Sequence, residues 1–300
     1  MNMTHSGKMG WMGGGTPVAV IMISLNEGHN IEAALQNLQG WAQEVFLVDS
    51  YSADETVDIA LRYGVHVVQR KFRGFGDQWN FALRELPINA PWTMKLDPDE
   101  RLTDELKAAI TQQINTGQQT GISFFRRLWF MGKPLPIRQE VIRIWKTGRC
   151  QFTNVAVNEH PLVEGQVVRI DGMLEHLDSP DLHHWVEKQN RYTSVEAISF
   201  ISGHKLSVTP RLFGSKMARR MWFKHNYMKI PFRYFVNHIM NLIIIKVWYS
   251  GKVGLTWARL RIWVRRMKED KIREMQVTGK IIDIPATKTG APHPRAIQLE

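Results

Sequence analysis

Cysteine occurs once in the 300 residues, at Cys150. No intramolecular disulfide framework can form, and the composition fits a reducing compartment. On burial statistics alone, a lone cysteine reads as a small buried residue. Long apolar runs are also missing. Met1 to Gly15 is rich in Gly and Met, lacks the sustained apolar stretch of a signal peptide, and reads as a loose, cytoplasm-facing tail. The most apolar stretch of the C-terminal region, Phe232 to Tyr249, is interrupted by Arg233, Asn237, His238, Asn241 and Lys246. A spanning helix needs about 20 largely apolar residues, so a span is not expected. Acid is nearly absent from one region. Lys205 to Lys271 holds 16 Lys/Arg against 2 Asp/Glu, a local charge of +14, while the whole chain carries +11 and the remainder −3. No internal repeat or low-complexity tract occurs.

What is present is enough to build a core. A 44% hydrophobic chain of this length forms one large domain, or a domain with an appendage. Its first half alternates short apolar runs with helical patterns. Val18–Ser24, Val45–Asp49, Val65–Gln69 and Trp92–Asp97 read as strands. Asn30–Leu38, with apolar Ile31, Ala34, Leu35 and Leu38, then Ala53–Tyr63 and Asp77–Leu86, read as helices. Such alternation predicts right-handed βαβ crossovers and a largely parallel sheet covered on both faces. A helix over Thr103–Ile114 follows, then strands Gly121–Trp129, Glu140–Lys146 and Gln166–Ile170, and a long helix from Leu182.

Three of the first four strands end in polar or acidic residues, at Ser24, Asp49 and Asp97. In open α/β sheets the ligand crevice lies outside those strand ends. Asp97-Pro98-Asp99-Glu100 would project carboxylates into it. Clustered carboxylates repel unless a cation shares them, and Mg²⁺ or Mn²⁺ with oxygen ligands suits Asp-x-Asp facing a diphosphate. The same four residues also read as an ordinary turn and helix start. Asp49, at a strand terminus, is placed to accept hydrogen bonds from a base or ribose. Ser52, three residues before Glu55, reads as the cap of the next helix. Ser24-Leu25-Asn26-Glu27 precedes a helix whose amino end could face phosphate. Arg70 to Gly76 sets three cations, Arg73 among them, beside two glycines; it reads as a flexible anion contact or as a solvated basic turn.

Four ordered segments carry a resemblance: Ser24–Ile31, Val48–Thr56, Gly74–Asn80 and Trp92–Arg101. Together they look like the family 2 glycosyltransferases of the GT-A fold. More narrowly they are similar to the small bacterial branch with lipopolysaccharide-core β-1,4-glucosyltransferases and related exopolysaccharide enzymes. The resemblance implies that the early acids Glu27 and Asp49 hold the nucleoside, that Gln78 and Asn80 lie near it, and that Asp97 and Asp99 face the metal and diphosphate, Asp99 as the direct ligand; Ser24, Asn26 and Arg73 join them as donor-binding candidates. Pro98 departs from the small residue often found between the two acids. An inverting transfer also needs a carboxylate to take the acceptor hydroxyl's proton. Asn158-Glu159-His160-Pro161 resembles the family's acceptor-side acidic motif, which makes Glu159 the base; as a bare sequence it is also a surface Glu before a turn. Leu174-Glu175-His176 resembles the downstream His that reaches the metal in some GT-A enzymes. Gln-x-x-Arg-Trp, the signature of processive members, is missing; Gln189-Asn190-Arg191-Tyr192 is only superficially like it. That argues for transfer of a single residue.

In the basic region Met221, Trp222, Phe223, Tyr227, Phe232, Tyr234, Phe235, Trp248, Trp257 and Trp263 mix with Lys and Arg, as an interfacial helix on anionic headgroups requires. A helical cap on the catalytic domain reads the same way. Nucleic acid is the rival partner for positive charge with aromatics, but no recognised nucleic-acid motif is present. The expected organisation is a flexible tail over 1–16 and a GT-A α/β domain over 17–204, its nucleotide half 17–101 and its acceptor half 102–204. Basic amphipathic helices follow over 205–278, and a flexible end with Pro285, Pro292 and Pro294 over 279–300. The expected enzyme is cytoplasmic, peripheral on the inner face of the inner membrane, and passes sugar from a nucleotide-sugar donor such as UDP-glucose to a lipid-linked saccharide acceptor. A sugar nucleotidyltransferase lacks its Gly-rich amino-terminal signature here. A noncatalytic membrane- or nucleic-acid-binding module on the same fold is the remaining rival.

Overall fold

The computed structural model describes residues 10–153, 159–202, 211–214, 218–219, 222, 226–227, 230–284 and 297–298. Asn158, Met221, Phe223, Pro285, Pro292 and Pro294 lie outside the described residues, as do residues 1–9. The chain divides into two compact units. The first takes residues up to 127, 138–177 and the chain end from 287; the second takes 128–137 and 178–286.

The first unit follows the alternation read from the sequence: β1 (Thr16–Ser24), α1 (Gly28–Leu38), β2 (Ala42–Asp49), α2 (Thr56–Arg62), β3 (His66–Gln69), α3 (Phe75–Glu85) and β4 (Trp92–Lys95). β5 (Glu100–Leu102), α4 (Asp104–Thr116), β6 (Gly121–Phe130), β7 (Lys133–Lys146), β8 (Cys150–Phe152), β9 (Pro161–Val163) and β10 (Val167–His176) follow, with β11 (Ile297–Gln298) from the chain end; the end of β6 and the start of β7, within 128–137, belong to the second unit. Nine strands form one sheet in the order β11-β3-β2-β1-β4-β7-β6-β10-β5; β8 and β9 pair separately. β1 runs parallel to β2 and β4, and β2 parallel to β3, while β4–β7 and β10–β5 are antiparallel. The result is a mixed α/β fold of GT-A type with a mostly parallel centre. β11, from the end read as a flexible tail, adds parallel to β3.

Successive residues of a strand face opposite sides of a sheet, and β1 shows both sides buried. Val18, Val20 and Met22 join Ile31, Ala34, Leu35 and Leu38 of α1 and Leu106 and Ile110 of α4 in one core. Ala19 and Ile21 join Phe46, Val48 and the α3 residues Trp79, Phe81 and Ala82 in the other. α4 starts on Thr103, whose side chain accepts from the Leu106 amide, a cap that contributes about 1 kcal/mol. Residues 11–16 of the amino-terminal tail also have a place: the Trp11 indole donates to the Ala42 carbonyl at 3.1 Å, and Thr16 opens β1.

The second unit contains α5 (Leu182–Ile201), α6 (Arg233–Ile239) and α7 (Gly251–Thr278), with one wide and one tight helical turn between α6 and α7. Asp181 caps α5 through the His184 amide at 2.8 Å. Trp185 of α5 packs with Val247, Trp257, Ala258 and Val264, and Ala197 with Ile272 and Met275. Lys271 adds polar ties, donating to Asn190 O and Ser194 Oγ, each at 2.7 Å. The boundary drawn from charge at 204/205 therefore differs from the packing boundary at 177/178, because the apolar face of α5 is satisfied by α7. Trp257, read as interfacial, is buried in this core; its position on α7 shares a face with Val264 one heptad on. Among the described residues no helix is long and apolar enough to cross a membrane.

Candidate active site

The carboxyl edge of the parallel strands is built by register. Ser24 pairs with Asp49, and Asp49 with Gln69, so three polar side chains meet where β1, β2 and β3 end. Asp49 is fully buried. It accepts from Ser24 Oγ at 2.8 Å, from the Ser52 amide at 2.8 Å and from Gln69 Nε2 at 3.0 Å, and also from Ser52 Oγ. Ser52, expected to cap α2, is engaged elsewhere: its hydroxyl donates to Asp49 and accepts from the Asn26 amide. Asp54 serves the helix start instead, accepting from the Thr56 amide at 3.1 Å.

The loops after β1 and β2 are knitted together. The Asn26 amide donates to Ser52 Oγ and Asn26 Oδ1 accepts from the Ala53 amide, both at 2.8 Å, and Asn26 sits at φ +57°. The Glu27 amide donates to Thr56 Oγ1 and the Gly28 amide to Asp54 Oδ2, again at 2.8 Å. A Cβ on Gly28 would stand 2.9 Å from Asp54 Oδ2, so a side chain here would have to displace that carboxylate. The Glu27 carboxylate accepts from Asn30 Nδ2 at 2.8 Å.

Gly74, at φ +131°, lets the chain turn from the exposed segment holding Arg73 into α3. Gln78 is buried and accepts from Arg70 at 2.7 Å. Asn80 is spent on the backbone: its amide group donates to Phe152 O at 2.9 Å and its carbonyl accepts from Phe152 N at 2.8 Å. The side chain thereby fixes β8.

The two acids after β4 have different partners. Asp97 pairs with Arg143 at 2.9 Å. Burial raises the Asp97 pKa, but the positive charges of Lys95 and Arg143 outweigh it and hold the carboxyl below its ordinary value. Arg143 also pairs with the fully buried Glu100, which Arg126 reaches at 3.1 Å. Burial opposes the charge on Arg143, yet Glu100 and Asp97 keep its pKa above the ordinary value. Arg101 pins the loop, donating to the carbonyls of Pro98, Glu100 and Asn30 at 2.6 to 2.8 Å.

Asp99 is buried and lies 3.2 Å from His176 Nε2 through Oδ2. The pairing of β5 with β10 sets His176 opposite Glu100, and the Leu177 amide donates to Asp99 O at 2.8 Å. Burial lowers the His176 pKa, but the Asp99 carboxylate more than reverses this and raises it. Two atoms about 2.1 Å from one hard ion and at right angles lie about 3 Å apart. An oxygen and an imidazole nitrogen at this separation fit Mg²⁺ or Mn²⁺, with coordination positions left for phosphate oxygens and water. Asp178, which the sequence reading passed over, follows His176 by two residues as His-x-Asp and opens the second unit, where it pairs with Lys188 at 3.0 Å.

Glu159 stands at the closing end of the β8–β9 pair, whose register sets Phe152 against Pro161. The His160 amide donates to Thr153 Oγ1 at 3.0 Å. The Glu159 carboxylate meets Lys95 of β4 at 2.7 Å, with the two side chains 11% and 9% exposed. Lys95, Arg101, Arg126 and Arg143 were not singled out by sequence reasoning; each acquires its role from a strand pairing or loop contact that leaves no local signal.

Residues 19–160 match the family model described as Glycosyl transferase family 2. An uncharacterized glycosyltransferase, RP128, of Rickettsia prowazekii (strain Madrid E) is 25% identical over 207 residues, 63% of this chain and 70% of the relative. Another, from Rickettsia bellii (strain RML369-C), is 37% identical over 93 residues, 31% of each chain. Among solved structures, S. aureus TarS 1–349 in complex with UDP-GlcNAc aligns over 91% of this chain and 95% of its own, at 13% identity and TM-score 0.46. Glucosyl-3-phosphoglycerate synthase from Mycobacterium tuberculosis, in complex with Mn²⁺, UDP and glucosyl-3-phosphoglycerate, aligns over 38% of this chain and 45% of its own, at 22% identity and TM-score 0.31.

Proposed function

We propose that this chain is an inverting, non-processive glycosyltransferase that moves one sugar from a nucleoside-diphosphate sugar, UDP-glucose or a similar donor, to a lipid-linked saccharide in lipopolysaccharide-core or exopolysaccharide assembly. The observation that carries the reading is the approach of Asp99 to His176, 3.2 Å apart, just past the carboxyl ends of the parallel strands of a family 2 domain. Asp99 and His176 would hold Mg²⁺ or Mn²⁺, with Asp97 beside them on the diphosphate side. Such an ion supplies Lewis-acid stabilisation to a departing diphosphate. Glu27 and Arg73 line the donor side, and Ser24, Asn26, Asp49, Gln78 and Asn80 shape it by fixing the loops. Glu159 takes the proton as the acceptor O–H bond breaks. The acceptor oxygen bonds to the anomeric carbon, and the electron pair of the old C–O bond leaves with the nucleoside diphosphate.

A lipid-linked acceptor calls for a membrane surface, and the second unit supports one. Phe232, Phe235, Ile243, Ile244 and Tyr249 lie within 18 residues of chain and are 64–83% exposed, in the region with a local charge of +14. Large exposed apolar side chains mixed with Lys and Arg suit an anionic bilayer face, here the cytoplasmic face of the inner membrane.

The test offers UDP-glucose, UDP-galactose, GDP-mannose and ADP-glucose with Mn²⁺ to the full chain, with water or a bacterial membrane lipid extract as acceptor. The expected product is nucleoside diphosphate, lost in Glu159→Gln while donor binding persists. Pyrophosphate release in a parallel reaction given a nucleoside triphosphate and a sugar 1-phosphate would support a sugar nucleotidyltransferase, and a fully active Glu159→Gln would remove the base assignment.

A further inference from the structure

Lys95 is a cation placed inside a sheet. It is the last residue of β4, opposite Ile21 of the central strand β1, and only 8% of it is exposed. An ammonium in such a place costs free energy unless its charge is met. Three groups meet it. Glu159 Oε1 lies 2.7 Å from Nζ; the Trp79 ring lies beneath Nζ at 4.4 Å, and the Phe152 ring at 5.5 Å. The rings are themselves fixed, Trp79 stacked on Phe152 at 5.6 Å and Trp145 set edgewise against Phe152 at 5.7 Å. Asn80 holds the Phe152 backbone with both atoms of its amide. The aromatic faces attract the cation and confine it, while neither ring competes for the carboxylate.

The neighbourhood makes this more than a stray ion pair. Glu159 enters on a connection between two three-residue strands, β8 and β9, a support too short to orient a side chain by itself. Lys95 belongs to the strand that leads directly to Asp97 and Asp99. Fixing Glu159 to Lys95 fixes it to the element that carries those acids.

We propose that Lys95 is the positioning residue for Glu159: its ion pair, held in the Trp79–Phe152 cage, sets the carboxylate so that Oε2 faces the acceptor hydroxyl. The inference rests on the reading of Glu159 as the base. Lys95 itself touches no reacting atom and transfers no proton. The role differs from donor binding, so the two halves of the kinetics should separate. A base misplaced by about 1 Å can cost about a hundredfold in rate, whereas nucleotide affinity need not change.

The experiment compares the full chain with Lys95→Met, Lys95→Gln, Lys95→Arg and Glu159→Gln. It measures nucleoside diphosphate release from the panel sugar that the wild type turns over fastest with Mn²⁺, and the affinity for the matching nucleoside diphosphate. A thermal midpoint is recorded for each variant. Lys95→Gln keeps a hydrogen-bond donor for Glu159 and so keeps the comparison open if the methionine variant does not fold. The expected result is a ten- to hundredfold fall in kcat for the neutral variants with KM and nucleotide affinity within about twofold, and at least partial rescue by Lys95→Arg. A folded neutral variant with wild-type kcat, beside an inactive Glu159→Gln, would overturn the role of Lys95 and leave the base standing. A fully active Glu159→Gln would instead remove the base reading on which the inference rests. A fall in nucleotide affinity matching the fall in kcat/KM would assign Lys95 to the donor and refute a positioning role.

Discussion

Replacing Asn80 by alanine would remove two hydrogen bonds, from Nδ2 to Phe152 O at 2.9 Å and from Phe152 N to Oδ1 at 2.8 Å. Each such bond contributes a net of about 1 kcal/mol, and leaving a half-buried backbone group unpaired costs about 1–3 kcal/mol more. Solvent reaches part of this site, so the lower figures apply and the expected loss is about 2–4 kcal/mol. For a unit of this size that is a fall of roughly 4–16 °C in thermal midpoint. Asn80→Asp should not rescue it, because a carboxylate can accept from the Phe152 amide but repels the Phe152 carbonyl. Since Phe152 backs the Lys95–Glu159 pair, transfer should fall along with stability, while affinity for nucleoside diphosphate stays within about twofold. Differential scanning fluorimetry beside nucleotide titration reads both quantities. An unchanged midpoint with an affinity reduced fivefold or more would refute this reasoning and make Asn80 a direct donor contact.

Burial pushes the Cys150 thiol up to about 12 against a weaker opposing hydrogen bond from Leu162, and only the thiolate is nucleophilic. The native chain should therefore react with an aromatic disulfide reagent at pH 8 at least a hundredfold more slowly than the urea-unfolded chain; equal rates would contradict the packing around β8. Phe235→Ser with Ile244→Ser should weaken cosedimentation with vesicles containing 30% anionic lipid by at least tenfold, at about 1–2 kcal/mol per inserted side chain. Unchanged partitioning would remove these two side chains from the proposed membrane face.

Much of the first unit was legible because its rules are local. The spacing of Ile31, Ala34, Leu35 and Leu38 names the buried face of α1, and all four are buried. The β-branched runs that become β1, β2 and β3 are buried on both faces, so continuous apolarity marks them as central strands. What was not legible depends on partners distant in sequence. β5, β8 and β9 are three residues each and too short to show a period. Lys95 meets Glu159 across 64 positions, and Arg143 meets Asp97 across 46; no spacing rule connects them. The capping rule gives Ser52 to the helix start because it sees three residues ahead, and it cannot see the Asn26 amide, 26 positions away, that donates to the same hydroxyl oxygen. Charge drew a boundary at 204/205 because charge marks surfaces, whereas the packing boundary follows the apolar face of α5. The motif acids were visible as a pair, but the pairing of β4 with β7 brings Arg143 to Asp97 and that of β5 with β10 brings His176 to Asp99.

The central claim is that Asp99 helps hold a divalent ion that receives a nucleoside diphosphate. Calorimetric titration of UDP, GDP and ADP into the full chain, with and without Mn²⁺, and into Asp99→Ala, tests it most directly. The account predicts binding of one nucleotide in the presence of Mn²⁺, at least tenfold weaker without it and lost in Asp99→Ala. Binding that ignores both the ion and the substitution, or no binding to any of the three, would contradict it and favour a noncatalytic module on this fold.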